Sequence, residues 1–141
     1  MTDRETLFLY RRREADETLA DAEQMLIGGV SPRSVVNRSY YAVFYFILAL
    51  FQKEGINPQT SKHSGVIGAF DREFVRSGKV DRNLGKIVHS LFDARQLPDY
   101  KEMAEITAVD AEEAVASARN FAAAIQRMVL SENRTGHPEN E

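Results

Sequence analysis

One stretch decides most of what this chain can become. From Ser34 to Phe51 it reads SVVNRSYYAVFYFILALF, apolar or aromatic at almost every position, with Asn37 and Arg38 standing inside it. A helix turns about 100° per residue, and on that wheel the segment is apolar almost all round, with Val36, Tyr40, Val43, Phe44, Ile47, Leu48 and Phe51 outside the sector of Arg38. A helix apolar on all sides must be covered on all sides, so this one is the centre of a bundle. The run from Tyr40 to Phe51 is too short for a membrane span, which takes about 20 residues, and no membrane association is expected. Ser34, Arg38 and Tyr45 share one narrow sector, interleaved with Ala42 and Ala49. The small residues let a neighbouring helix approach beside Arg38, and a guanidinium in that position needs an acidic partner or a cleft. The expectation is a polar pocket holding Arg38, walled by Tyr41 or Tyr45 and shared with the fourth helix.

The rest of the chain reads as helices around that centre. The first covers roughly Arg4 to Ile27, where Phe8, Ala15, Leu19, Ala22 and Leu26 mark one apolar stripe before Gly28-Gly29 ends it. Arg11, Arg12 and Arg13 lie among Glu14, Asp16, Glu17 and Asp21, a solvated, charge-laced face rather than a basic patch. Ser31 caps the central helix, with Pro32 in its first turn and Gly55 at its end. Thr60 or Ser61 is expected to cap a third helix from His63 to Arg76, and Asp81 a fourth that Pro98 stops. A fifth runs from Ala108 to Leu130 on Ala111, Ala114, Val115, Ala118, Phe121, Ala122, Ile125 and Met128. No stretch alternates as a strand does. The fold expected is all-α, an up-and-down bundle of four to five helices over residues 1–130, with 131–141 as a disordered tail.

Composition narrows the chemistry. The chain has no cysteine, which excludes disulfides, thiolate metal sites and cysteine nucleophiles and is compatible with a reducing cytosol. The N-terminal segment carries acidic residues and no apolar core, so no signal peptide is expected and the location expected is cytoplasmic. A net charge of −3 gives no global positive field for nucleic acid. HExxH, EF-hand, Walker and GxGxxG patterns are all missing, as is a pair of Glu-x-x-His motifs. Neither a metal nor a cofactor is expected.

Two more polar residues stand on apolar faces. Arg95 falls in the stripe of Val88, Leu91 and Phe92, and Asp99, four residues on, is its simplest partner. His63 shares a side with Val66, Ile67, Phe70 and Phe74, a packing position as much as a catalytic one. His89 falls on the opposite side of its helix, near Lys86 and Asp93, and reads as exposed.

Three segments carry a resemblance. NRSYYAVFYF in the central helix, KHSGVIGAF opening the third and LFDARQLPDY closing the fourth resemble the HEPN superfamily, in its small single-domain prokaryotic branch. The likeness extends over roughly Asp3 to Val129. It implies a helical bundle that dimerises, with its polar residues near a cleft at the dimer interface. Many members are encoded beside a minimal nucleotidyltransferase, with the HEPN protein as toxin and its partner as antitoxin. Several branches are metal-independent ribonucleases whose signature is an arginine followed after four to six residues by a histidine. Arg95 matches that arginine, but Tyr100, Lys101 and Glu102 occupy the positions of the histidine. Tyrosine, with a pKa near ~10, is a poor general base at neutral pH.

The leading expectation is a homodimeric partner of a nucleotidyltransferase, in a toxin–antitoxin-like or nucleotide-handling system. Arg38, Tyr41, Asp99 and Tyr100 would line the cleft and hold a nucleotide or RNA phosphate. Arg95, with His63, would be the catalytic pair of the alternative, a ribonuclease with a degenerate signature. A third reading is a non-catalytic adaptor bundle.

Overall fold

The computed structural model describes residues 2–58, 62–100 and 105–135, and the side chains of the last two segments through 96 and 129. Five α-helices stand among them: α1 (Asp3–Ile27), α2 (Pro32–Glu54), α3 (His63–Phe70), α4 (Arg82–Tyr100) and α5 (Ala108–Thr135). A π-helical turn, Asp71–Val75, prolongs α3.

The central helix is where its composition puts it. Val35, Val36, Tyr40, Val43, Phe46, Ile47, Leu50 and Phe51 are all buried, pointing in several directions, with α1, α4 and α5 packed around them. By length and apolarity α2 would also pass for a membrane span, but 67% of that window is buried inside the bundle. The most extensive packing on α2 is that of α1, and Ala15, Thr18 and Ala22 of α1 are buried, as are Ala42 and Ala49 of α2. Phe51 stacks on Phe74 at 5.9 Å and Phe70 meets Phe121 at 5.7 Å, which ties α2, the π-helical turn and α5 into one core.

Local signals hold at most of the ends. Ser31 Oγ accepts from the Ser34 amide, and Asp81 Oδ1 accepts from the Asn83 amide at 2.8 Å. Gly55 takes the left-handed conformation, φ 73°, that ends α2 at no steric cost. Arg4 donates to the carbonyls of Gln52 and Lys53 and so closes the last turn of α2 from α1. Arg11 and Arg12 pair with Glu14 and Asp16 along α1, so that face is the solvated one expected.

Four expectations are corrected or fall outside view. The third helix does not run as a single α-helix to Arg76: after Phe70 the Arg76 amide reaches the Asp71 carbonyl, a bond over five residues that widens the turn. The extra residue keeps Phe70 and Phe74 stacked on the core side, 5.7 Å apart. Pro98 does not stop α4, which continues to Tyr100. A proline removes a single amide rung, and a final turn tolerates that better than a helix interior does. Helix α5 runs five residues past Leu130, to Thr135, because polar residues without periodicity can still prolong a helix already anchored by packing. The N-cap position of α3 is Lys62, without a side-chain capping bond, where Thr60 or Ser61 is expected; Thr60, Ser61 and residues 136–141 lie outside the described residues.

Candidate functional site

The site forms where α4 lies against α2. Asn37 and Tyr41 are one turn apart on α2 and share a face. Arg95 reaches that face from α4. Its Nε donates to Asn37 Oδ1 at 3.2 Å and its Nη2 donates to the Tyr41 hydroxyl at 3.2 Å. The guanidinium carbon lies 5.2 Å from the Tyr40 ring centroid and 5.3 Å from that of Tyr41, within reach of both π faces. Two bonds to neutral groups thus fix the cation in place, and no carboxylate pairs with it among the described residues. A guanidinium carries five N–H donors, and the described residues take up two of them.

His63 enters from the first turn of α3. Its Nδ1 stands 2.9 Å from the Tyr40 hydroxyl. The ring lies 4.3 Å from Phe44, and Tyr41 meets it edge-on at 5.6 Å. Burial first, then the positive charge of Arg95, hold the imidazole pKa below its ordinary 6.5. Burial pushes the Tyr40 hydroxyl far above the usual tyrosine range, so it keeps its proton. The hydroxyl can donate to Nδ1 or accept from Nδ1–H, and the second arrangement leaves Nε2 as the free proton acceptor.

Arg95 borders two cavities. One, of about 430 Å³, is lined by Tyr41, His63, Ser64, Phe92, Arg95 and Gln96. The other, of about 330 Å³, is lined by Arg33, Ser34, Asn37, Arg95 and Ile106. A larger groove of about 730 Å³ lies between α4 and α5, but it has neither a histidine nor an aromatic ring in its lining. The Arg95 clefts are where a fixed cation, a neutral imidazole and aromatic faces converge. Such a set can bind an anion and can move a proton.

The structure brings together three of the residues that the sequence singles out: Arg95, His63 and Tyr41. It does not bring Arg38 to them. Arg38 is exposed, and its charge acts on Tyr45 together with Arg11 and Glu14 of α1. Among the described residues its surroundings are Tyr45 and charged groups of α1, and no group of α4 joins them. The side chains of Asp99 and Tyr100 lie outside the described residues, and so does the Arg95–Asp99 pair. His89 is exposed as expected, but its partner is Asp71 of the π-helical turn, with Nε2 2.6 Å from Oδ2, rather than a neighbour on α4. Sequence reasoning missed Asn37, Tyr40 and Arg33 as site residues. The available signal was spacing: Arg33, Asn37 and Tyr41 recur every four residues along one face of α2.

Comparison with known proteins shows the family. A UPF0332 protein of Thermotoga maritima is 40% identical over 129 residues, covering 92% of this chain and 96% of that one. A protein of Methanocaldococcus jannaschii with the name "putative toxin" is 29% identical over 131 residues, covering 89% and 88%. A second one of that organism, under the same description, is 35% identical over 86 residues, covering 61% and 62%. The family model described as the HEPN domain matches residues 9–128, which takes in the whole of α2, α3 and α4 and both sides of the Arg95 cleft. With an all-helical bundle, an aromatic α2 and that match over most of its length, the chain belongs to the HEPN domain family.

Proposed function

We propose that this chain is the toxin-type, homodimeric partner of a minimal nucleotidyltransferase in the cytoplasm, and that its Arg95 cleft binds a phosphate group of a nucleotide or RNA. Arg95 carries the reading. A guanidinium held by Asn37 and Tyr41 over two tyrosine faces, without a carboxylate partner among the described residues, is preorganised for an oxyanion. The names of the two M. jannaschii relatives support the toxin part of it. The test is binding of adenosine 5′-monophosphate by titration calorimetry, beside sedimentation of the free protein. Saturable binding that falls at least tenfold in Arg95→Ala, by a dimer, supports the reading. A monomer at working concentration, or binding indifferent to Arg95→Ala, refutes it.

A specific observation favours a second reading, a metal-independent ribonuclease. His63 lines the same cavity as Arg95, is kept neutral at pH 7 and is oriented by Tyr40. In that reading His63 takes the place of the signature histidine: with Nδ1–H donating to Tyr40, its Nε2 accepts the 2′-hydroxyl proton. The 2′-oxygen attacks the phosphorus held by Arg95 and the P–O5′ bond breaks, the 5′-oxygen leaving with a proton from water and a 2′,3′-cyclic phosphate remaining. RNA cleavage in chelator by the wild type, abolished in both His63→Gln and Arg95→Ala, is the expected result. Cleavage that survives His63→Gln removes the histidine from the mechanism.

A further inference from the structure

The two cavities beside Arg95 differ in character, and the difference says what shape of ligand fits. They share Arg95 and no other lining residue. On the α3 side the lining is aromatic: Tyr41, His63 and Phe92. On the side of the α2 N-terminal turns it is polar and cationic: Arg33, Ser34 and Asn37, with Ile106 the one apolar member. Arg33 stands one turn before Asn37, which holds Arg95, and Asn37 one turn before Tyr41. These residues make a track along α2 of about 12 Å, at 1.5 Å per residue. It starts with a cation, passes a second cation at its middle and ends among rings. Arg33 is exposed and forms no ion pair with a carboxylate among the described residues.

We infer that Arg33, with Ser34 and Asn37, forms a second phosphate subsite, so that the cleft takes a ligand with two phosphates separated by a sugar. The inference rests on the proposed binding of a phosphate at Arg95. Rings accept a base by stacking without regard to its identity. Arg95, beside them, takes the phosphate nearest that base. The next phosphate along then falls in the Arg33 cavity, where a hydroxyl, an amide and a guanidinium meet it. Two phosphates joined directly would both fall at Arg95, the one lining residue that the cavities share. A strand segment or a nucleoside bisphosphate spaces its phosphates across a sugar and reaches both.

The experiment compares three probes on the full chain: adenosine 5′-monophosphate, adenosine 5′-diphosphate and adenosine 3′,5′-bisphosphate. The bisphosphate is expected to bind at least tenfold more tightly than the monophosphate, and the diphosphate within about threefold of the monophosphate. Arg33→Ala, at an exposed position of the first turn, removes the tenfold gain of the bisphosphate over the monophosphate. Arg13→Ala, which deletes an exposed charge on α1, leaves the gain intact and so separates a local subsite from net charge. A gain that survives Arg33→Ala overturns the subsite while the Arg95 site stands. An equal gain for the diphosphate overturns the separated geometry. Absence of binding for all three probes overturns the Arg95 reading itself, and the subsite with it.

Discussion

Two arginines interrupt the apolar pattern of this chain, and they end in opposite circumstances. Arg95 lies in a crevice between α2 and α4, bonded to Asn37 and Tyr41 and laid over two rings. Arg38 lies exposed beside α1, in the field of Tyr45, Arg11 and Glu14. Each was placed on an apolar face by its own helix. What separates them is the neighbour. α4 brings a long cationic side chain onto polar and aromatic groups of α2 and leaves a cleft. α1 brings Glu14 and Arg11 to Tyr45 beside Arg38, which stays exposed to water. Whether a cation in an apolar stripe becomes a site or a surface residue is decided by the element opposite it.

The comparison can be broken experimentally. The largest effect should come from the floor of the cleft: Phe44→Ala removes the ring against His63 and should cost about 3–5 kcal/mol of stability, read from urea denaturation. Next is Arg95→Ala, for which a roughly 30-fold loss of nucleotide affinity corresponds to about 2 kcal/mol. Arg38→Ala should change that affinity less than about threefold, and an equal loss would erase the distinction between the two regions. Tyr40→Phe takes away the hydroxyl at His63 Nδ1 and should cost about 1–2 kcal/mol, the usual effect of leaving a half-buried polar atom without its partner. A still smaller change, Arg38→Met, should alter stability by no more than about 0.5 kcal/mol, as surface substitutions do.

The pH dependence sharpens the same contrast. The folded state lowers the His63 pKa below 6.5, by burial and by Arg95. Between the folded value and 6.5 the unfolded chain binds more protons, so stability rises with pH across that window. The contribution is complete above 6.5 and is lost as pH falls toward the folded value. Denaturation midpoints at pH 7.5 and pH 5 should therefore differ more for the wild type than for His63→Gln. Arg95→Met should narrow the difference in part, and Arg38→Met should leave it unchanged.

Much of the architecture was legible because short-range rules carry it. Ser31, Asp81 and Gly55 punctuate helices through their own backbone chemistry, and the periodic stripes of α1 and α5 state which face is buried. The site was legible in part. Arg95, His63 and Tyr41 stood out as polar groups in apolar surroundings. Asn37 stood out in the apolar run without a role, and Arg33 did not stand out, because on α2 alone it is an ordinary polar residue near a helix start. They gain meaning only when Arg95 arrives beside them.

The sequence by itself determined an all-helical bundle with α2 at its centre, since a helix apolar on every side has no stable alternative to being surrounded. It determined also that a cation would stand in the α4 stripe. Only the tertiary structure decided which helix met which face of α2. That pairing joined Arg95 to Asn37 and Tyr41, set His63 on Tyr40, and left Arg38 to solvent. The physical reason is range. Capping and periodicity act within a turn or two of helix, whereas the Asn37–Arg95 bond joins residues 58 apart in the chain and exists only once the helices have packed.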